Sequence, residues 1–480
     1  MKTVHWILIV LSATACLQAC SLVPKYEQPG NALPESIPES WPQEPLATVF
    51  SDNAGWWEGF RSKALPLLQQ EGVARNLNLS ASGWRLAQAV AQSRVARSPL
   101  FPWLGATGSG SRKGAHVKPT GQHTDTINVA DTFSGGFQAS YELDIWGRLR
   151  SQADAAAFMA EATLDDWRSV GLSLESNIAV TYFQLLALRE RLAVQRDILS
   201  TAQQTLDYIE KQQRAGAASA LDLARQRSDV ESMKARTKEL ERQMSAARNA
   251  LNDLLGTATT PEGLDSLIAE DSITKLTPPA VVPGLPSSLL LRRPDILKAE
   301  ASLKAANANI GAARAAFLPV VNLVAQGGWQ SDELHSLFRP TSTLYSVAAS
   351  FVTPIFQGGR LTAQHDAAVA RKEELIARYQ QTVLSAFLEI DTAIAANGFL
   401  AQEEADRGAS VRDAREADRI VHVQYREGST DFLSLLDAQR TLLTVQDARI
   451  SATLARLNTT VGLFKALGGG WGERLPPNAP

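Results

Sequence analysis

The ten residues from Gly147, Gly-Arg-Leu-Arg-Ser-Gln-Ala-Asp-Ala-Ala, return from Gly359 as Gly-Arg-Leu-Thr-Ala-Gln-His-Asp-Ala-Ala, seven of ten identical at an offset of 359 − 147 = 212. The offset holds without a gap further on. Arg214 and Gly216 fall on Arg426 and Gly428, Leu221 and Leu223 on Leu433 and Leu435, and Leu251, Leu255 and Gly256 on Leu463, Leu467 and Gly468. An upstream block repeats at 217, Arg97 and Pro102 falling on Arg314 and Pro319, and Asn76-Leu77-Asn78-Leu79 on Arg293-Pro294-Asp295-Ile296. A period of roughly two hundred residues is too long for a solenoid and predicts two structurally similar halves of one body. The expected division is a first repeat at 61–280, a second at 281–470 and a tail at 471–480, after two N-terminal segments described below.

Within each half the downstream block reads as long helices, expected over 148–255 and 360–467. From Leu174 the positions 174, 178, 181, 185, 188, 192, 195, 199, 202, 206 and 209 alternate steps of four and three, and most are Leu, Ile or Ala. A mean step of 3.5 marks a coiled-coil seam. Gly216 falls in the break between two helices, and Gly256 ends the second as a C′ glycine. The first helix would be on the order of 100 Å long at 1.5 Å per residue. The second copy has a more polar seam, with Asn397, Glu404 and Asp418. Helices of this length predict a rod, bundle or tube.

The upstream blocks lead into period-two segments. Phe133, Gly135, Phe137, Ala139, Tyr141 and Leu143 alternate with Ser134, Gly136, Gln138, Ser140, Glu142 and Asp144. Four strands are expected, at about 103–113, 131–144, 319–330 and 342–353. The alternation fits strands apolar towards lipid and polar towards a lumen, and equally fits two water-soluble hairpins. A spanning sheet tolerates no open edge, because unpaired backbone groups in hydrocarbon cost several kcal/mol each. Four strands cannot close, since the smallest bacterial barrels have about eight. Two chains would give about eight strands around a filled interior, and three about twelve with room for water, so geometry leans towards a trimer.

The N-terminus carries Lys2, an apolar run from Trp6 to Leu11, small residues, and then Leu17-Gln18-Ala19-Cys20. Residues 1–19 are expected to be a signal peptide. Its ending resembles a lipobox, which implies acylation of Cys20 with N-acyl and S-diacylglycerol chains. Ser21 after the cysteine points, by resemblance to sorted lipoproteins, to the outer membrane. Residues 20–60, rich in Pro, Glu and Ser, are expected to be an extended lipid-anchored segment. A net charge of −3 without a basic stripe offers nothing to nucleic acid. The six histidines have no metal-ligand spacing, and no nucleophile motif or phosphate loop stands out. The expectation is therefore no enzyme, no metal and no cofactor beyond the lipid.

Together these motifs resemble the outer-membrane factors of tripartite efflux systems, the TolC-like channels, and within them the lipid-anchored OprM/NodT-type branch. The resemblance is carried by Trp56-Trp57 with Asn76-Leu77-Asn78-Leu79, by Tyr141-Glu142-Leu143-Asp144-Ile145-Trp146-Gly147-Arg148, and by Arg293-Pro294-Asp295-Ile296 followed by Ala299-Glu300. Pro354-Ile355-Phe356-Gln357-Gly358-Gly359-Arg360-Leu361 and Leu435-Leu436-Asp437-Ala438-Gln439-Arg440 complete it. It implies a fold that is mainly α with membrane β, a homotrimer with a twelve-stranded β-barrel and a twelve-helix periplasmic α-barrel. Gly147-Arg148 and Gly359-Arg360 would mark the strand-to-helix junctions, with the arginines just below the membrane. The implied partners are a periplasmic adaptor, an inner-membrane pump of the RND type and outer-membrane lipid. The implied function is passive export of small molecules such as drugs or toxic compounds from a Gram-negative cell.

The candidate site is the second helical break, Tyr425 to Leu433, and the helix after it. Leu433, Asp437 and Arg440 are spaced by four and three on one face. By resemblance they line the periplasmic mouth with Tyr425, three copies of each forming stacked rings. A leucine ring narrows and dewets a pore, and a carboxylate ring favours cations. A solvated i,i+3 pair of Asp437 and Arg440 is the bland alternative. The first copy keeps Leu221 but has Arg225 and Ser228 in place of that pair. Arg293-Pro294-Asp295-Ile296 reads as a structural helix start. The competing functions are the duct of a type I protein exporter and a lipid-anchored coiled-coil scaffold.

Overall fold

The computed structural model describes residues 22–29, 55–117, 126–279 and 292–469; the expected signal peptide, Cys20 and the 471–480 tail lie outside them. The chain divides into two compact units. One is built from 1–30, 86–163 and 298–379, the other from 31–85, 164–297 and 380–480.

The first unit holds one antiparallel sheet in the order β1-β2-β3-β4, with β1 Trp103–Val117, β2 Thr126–Leu143, β3 Val320–Ser331 and β4 Thr343–Val352. Register puts Leu143, Val321 and Phe351 in one row and Tyr141, Leu323 and Ala349 in the next on that face. The opposite face carries Glu142, Asn322 and Ser350, then Gln138, Gln326 and Ser346. Across β2, β3 and β4 the period-two pattern thus builds one mainly apolar face, and an opposite face whose polar rows alternate with the row Ser140, Val324 and Ala348. β1 and β2 run past the expected limits of 113 and 131. There the ladder continues from Gly114↔Val129 to Val117↔Thr126, and just inside those limits it is tied by Ser109 to Ser134 (2.8 Å) and by Arg112 to Asp131 (2.7 Å). Gly136 and Gly328 sit directly opposite each other on β2 and β3. A Cβ on Gly136 would lie 2.5 Å from the Gly327 carbonyl oxygen, so this crossing needs bare backbone.

Eight α-helices complete the described chain: α1 Leu65–Arg75, α2 Leu77–Arg97, α3 Arg148–Arg214, α4 Ala220–Leu255, α5 Pro261–Leu267, α6 Pro294–Ala315, α7 Arg360–Arg426 and α8 Phe432–Ala466. Helices α3 and α7 each have 67 residues. Their shared length follows from duplication, and the backbone repeats it. Gly147 and Gly359 open the long helices at φ of 74° and 81°, Gly216 and Gly428 turn the chain at 75° and 73°, and Gly256 and Gly468 end the return helices at 65° and 86°. Each pair is 212 residues apart, and each member holds a left-handed conformation that glycine adopts without strain.

The second unit has a continuous apolar core. Trp56 stacks on Phe464 with ring centroids 5.6 Å apart, and Phe60 lies 5.1 Å from Phe183. The seam of α3 contributes Ile178, Leu185, Leu188 and Leu192, against Leu240, Leu251 and Leu255 of α4. The α7–α8 hairpin is built differently. Asn397 donates to Thr460 (3.2 Å), and Glu404 accepts from Thr453 (2.8 Å) and Arg456 (2.7 Å). The polar seam of the second copy is thus a set of hydrogen-bonded layers, and α7 is helical throughout. By length and composition α7 is also the one helix among the described residues that would suit a bilayer crossing. Within α7 Val383, Ala386 and Ile390 are buried, and Glu389 pairs with Arg293 at 2.9 Å.

The two upstream motifs have matching tasks. Asn76 caps α2 by accepting from the Leu79 amide (2.9 Å) and donates through Nδ2 to the Leu254 carbonyl (2.9 Å). Arg293, at the start of α6, donates through Nη1 to the Ala466 carbonyl (2.9 Å). Leu254 and Ala466 are 212 apart, as Asn76 and Arg293 are 217 apart. Each repeat therefore closes the end of its return helix onto the start of the helix that leads into its strands, α2 or α6, satisfying a terminal carbonyl that has no intrahelical donor.

Candidate functional site

The second helical break is a tight, repeated turn. The Ser429 amide donates back to the Gln424 carbonyl at 2.9 Å, as Ala217 does to Gln212 at 2.8 Å in the first copy. Asp431 then caps α8 by accepting from the Ser434 amide at 2.7 Å, where Ser219 caps α4 by accepting from Asp222 at 3.1 Å. The capping geometry is conserved between copies with different side chains. Tyr425 packs inside the turn, its ring 6.2 Å from Tyr208 and 6.1 Å from Phe432. Burial, with Tyr208 and Asp222 nearby, pushes its phenol above the ordinary value, so it stays neutral and serves as packing.

Leu433 stands out from α8 with 60% of its surface exposed, and Leu221 does the same on α4 at 57%. Asp437 is exposed one turn further on. Arg440 does not form the i,i+3 pair with Asp437. Its Nη2 and Nε donate to Asp229 Oδ1 of α4 at 2.7 and 3.1 Å. The Asp229 side chain is only 8% exposed, and its second oxygen is buried without a hydrogen-bond partner. Asp229 was not singled out from the sequence, because the offset aligns it with Thr441, not with either member of the candidate pair. The available signal was its place beside Val230 and Met233 on the apolar seam of α4, where a carboxylate needs a cationic partner.

The junctions differ between copies. Arg148 Nη2 grips both oxygens of Glu142 at 2.7 and 2.8 Å, and Asp144 accepts from the amides of Leu149 and Arg150 at 2.9 and 2.8 Å. Trp146 donates to the Pro319 carbonyl at 2.8 Å. In the second copy Arg360 reaches only Gln357 (2.5 Å), and Phe356 stands where Asp144 does in the first. Ile355 and Phe356 are almost fully exposed there.

Cys20 lies outside the described residues, but the segment just after it, 22–29, has a bed. Val23 lies against Gly311 of α6, where even a Cβ would come within 2.5 Å of it. The Pro24 carbonyl accepts from Asn307 (2.7 Å), the Lys304 ammonium sits 5.8 Å from the centre of the Tyr26 ring, and Gln28 donates to Tyr379 (3.0 Å). Among the described residues no group of three or more His, Cys, Asp or Glu side chains is placed to hold a metal.

A two-faced membrane-type sheet joined at glycine hinges to two long helical hairpins defines a channel-forming envelope protein. The comparisons agree. The family model "Outer membrane efflux protein" matches residues 68–257 and 285–469, one segment in each repeat. The chain is 35% identical over 471 residues to the pyoverdine export outer membrane protein OpmQ of Pseudomonas aeruginosa, covering 97% of each. It is 32% identical to the cation efflux system protein CusC of Escherichia coli, covering 97% of this chain and 98% of that one. The crystal structure of the open state of the Neisseria gonorrhoeae MtrE outer membrane channel superposes with a TM-score of 0.83 at 32% identity, over 94% of this chain and 98% of that one. The chain belongs to the outer membrane efflux protein family. Its place is the Gram-negative outer membrane, with its helices in the periplasm, and its task is efflux.

Proposed function

We propose that three copies of this chain close a twelve-stranded barrel and a twelve-helix tube. This duct passes small toxic molecules outward from an inner-membrane pump of the RND type through a periplasmic adaptor. The observation that carries this is the open sheet. β1 and β4 are both edge strands, and β4 is exposed along its whole length, with Tyr345, Val347 and Phe351 all uncovered. An edge of this kind in hydrocarbon requires a partner strand. Relatives named for pyoverdine, toluene and cation export each align with 97% of this chain, which supports a duct whose cargo is chosen by the pump. Lipid on Cys20 would anchor each protomer beside the barrel.

The periplasmic mouth is read as the end formed by Leu433, Asp437, Arg440 and Tyr425. Leu433 and Asp437 protrude, Arg440 ties α8 to α4 through Asp229, and Tyr425 braces the turn. The test uses the purified lipidated protein in a planar bilayer. A heat-modifiable trimer with a low basal conductance is expected, and the double substitution Asp437→Ala with Arg440→Ala should raise that conductance. A monomer that passes no ions would overturn the duct, and an unchanged conductance in the double variant would overturn this placement of the mouth. Millimolar divalent cations should reduce the current through wild type and not through Asp437→Ala, as expected of facing carboxylates.

A further inference from the structure

One polar layer of the α7–α8 hairpin is left incompletely bonded. His422 and Asp418 lie one turn apart on α7, with His422 Nε2 at 3.6 Å from Asp418 Oδ1. Across the seam, the almost fully buried Gln439 of α8 places its amide nitrogen 3.0 Å from the same His422 Nε2. Two acceptors beside this contact, Asp418 Oδ1 and Gln439 Oε1, are buried and have no hydrogen-bond partner.

With the ring proton on Nδ1, the imidazole accepts from the Gln439 amide at Nε2. A carboxylate oxygen then faces its lone pair, and two buried oxygens lack donors, which is unfavourable. One added proton gives Nε2 a single N–H for Gln439 and places a positive charge beside Asp418. An imidazolium donates at Nε2, so the Gln439 amide need only rotate about its terminal bond to present Oε1 to it. The positive ring then lies against Asp418. Burial pushes the Asp418 carboxyl up and His422 draws it down, so this carboxylate gains from a cation beside it.

We propose that Asp418, His422 and Gln439 form a proton-operated latch that holds the gate helix α8 against α7 at acidic pH and frees it near neutrality. Imidazoles take up a proton between about pH 5 and 8, the range met in an envelope compartment open to the medium. The groups that face the ring are Asp418 from its own helix and Gln439 from α8. Arg440, the next residue on α8, is turned to Asp229 of α4, and Arg426 reaches only the His422 carbonyl oxygen. The latch therefore adjoins the Arg440–Asp229 tie, and the two act on the same turn of α8.

The inference rests on the duct reading above, and its test separates the two. Bilayer conductance of the full lipidated trimer is measured at about pH 5.5, 6.5 and 7.5, for wild type, His422→Gln and Asp418→Asn. We expect wild-type conductance to fall by about threefold or more on acidification, across the imidazole range. His422→Gln should lose the dependence, and Asp418→Asn should move it to lower pH. Hydrogen exchange over residues 432–445, corrected for the intrinsic effect of pH, reads the latch without requiring current. It should slow at acidic pH in wild type and not in His422→Gln. If the protein carries no current at any pH the duct reading fails, while exchange still decides the latch. If His422→Gln keeps the wild-type pH response in both measurements, or if the response follows added zinc at fixed pH and not the proton, the latch is wrong.

Discussion

The guanidinium of Arg440 lies 2.7 Å from the carboxylate of Asp229, joining the return helix of the second repeat to that of the first. The tie is asymmetric. Asp229 is buried and Arg440 is 61% exposed, so the carboxylate depends on this contact more than the cation does. A half-exposed pair is worth about 1 kcal/mol. Removing the cation leaves a buried charge with no partner, which costs more.

Arg440→Ala alone should therefore loosen the mouth more than Asp229→Asn, since asparagine keeps the shape and removes the buried charge. The measurement is single-channel conductance of each variant beside wild type. The expected order is wild type below Asp229→Asn below Arg440→Ala. Equal conductance in all three would mean that this tie does not govern the opening.

The repeated closure of each half gives a paired prediction. Arg293 donates to Ala466 and also pairs with Asp295 and Glu389 at 2.7 and 2.9 Å. Asn76 makes the matching contact to Leu254 without a charge. Arg293→Met should destabilise by about 2–3 kcal/mol, because it removes the donor to the Ala466 carbonyl together with two charge-assisted bonds, to Asp295 and Glu389. Asn76→Ala should cost about 1 kcal/mol, the worth of a cap and one neutral bond. Thermal unfolding of the two variants checks the ratio, and a larger loss in Asn76→Ala would contradict it.

Much of this was legible because duplication writes each backbone requirement twice. Gly147, Gly216 and Gly256 predicted a hinge, a turn and a helix end, and Gly359, Gly428 and Gly468 repeat the same left-handed conformations. The strands were legible where their faces differ, as at Tyr141 and Glu142, and less so at the far end of the β1–β2 hairpin, where Arg112 and Asp131 interrupt the alternation that Val129 and Ile127 resume. Contacts between the halves could not be read. Asp229 has no counterpart at the offset, and the choice between Asp229 and Asp437 as partner of Arg440 depends on how two helices pack. Pairing by i,i+3 spacing considers one helix alone, and here the partner comes from another.

Asp271 sets an acid limit on the second unit. Burial pushes its carboxyl up, yet hydrogen bonds from Ser62 (2.6 Å), Tyr182 (2.5 Å) and the Ala64 amide (3.2 Å) outweigh it and hold it below the usual carboxylate range. A depressed folded value contributes stability that is complete above the unfolded value of about 3.9, and is lost as pH falls through the folded one. Asp271→Asn should lower the unfolding temperature at neutral pH, by an amount equivalent to about 2 kcal/mol. The gap should narrow below about pH 4. Unfolding scans from neutral to about pH 3 test this, and a gap constant across that range would show that ionisation of Asp271 is not the source.

The strap at 22–29 depends on one missing side chain. A Cβ on Gly311 would lie 2.5 Å from Val23 Cγ2 and 2.9 Å from Val23 Cα, so Gly311→Ala must lift the strap or shift α6. Overpacking of this kind costs about 1–3 kcal/mol. Among the described residues the strap is held by the Pro24–Asn307 and Gln28–Tyr379 bonds and by contacts of Tyr26 with Lys304 and Glu300, whereas α6 is a 22-residue helix, so lifting the strap is the easier response. Lys25 is exposed within the strap and offers trypsin a site. Cleavage that follows the lifted population should quicken by about tenfold in Gly311→Ala, since 1.4 kcal/mol is a factor of ten. Val23→Gly added to Gly311→Ala removes the Cγ contact, and should bring the rate back towards wild type. If the single variant is cut no faster than wild type, or the double variant is cut faster than the single, then Gly311 is not the seat of the strap.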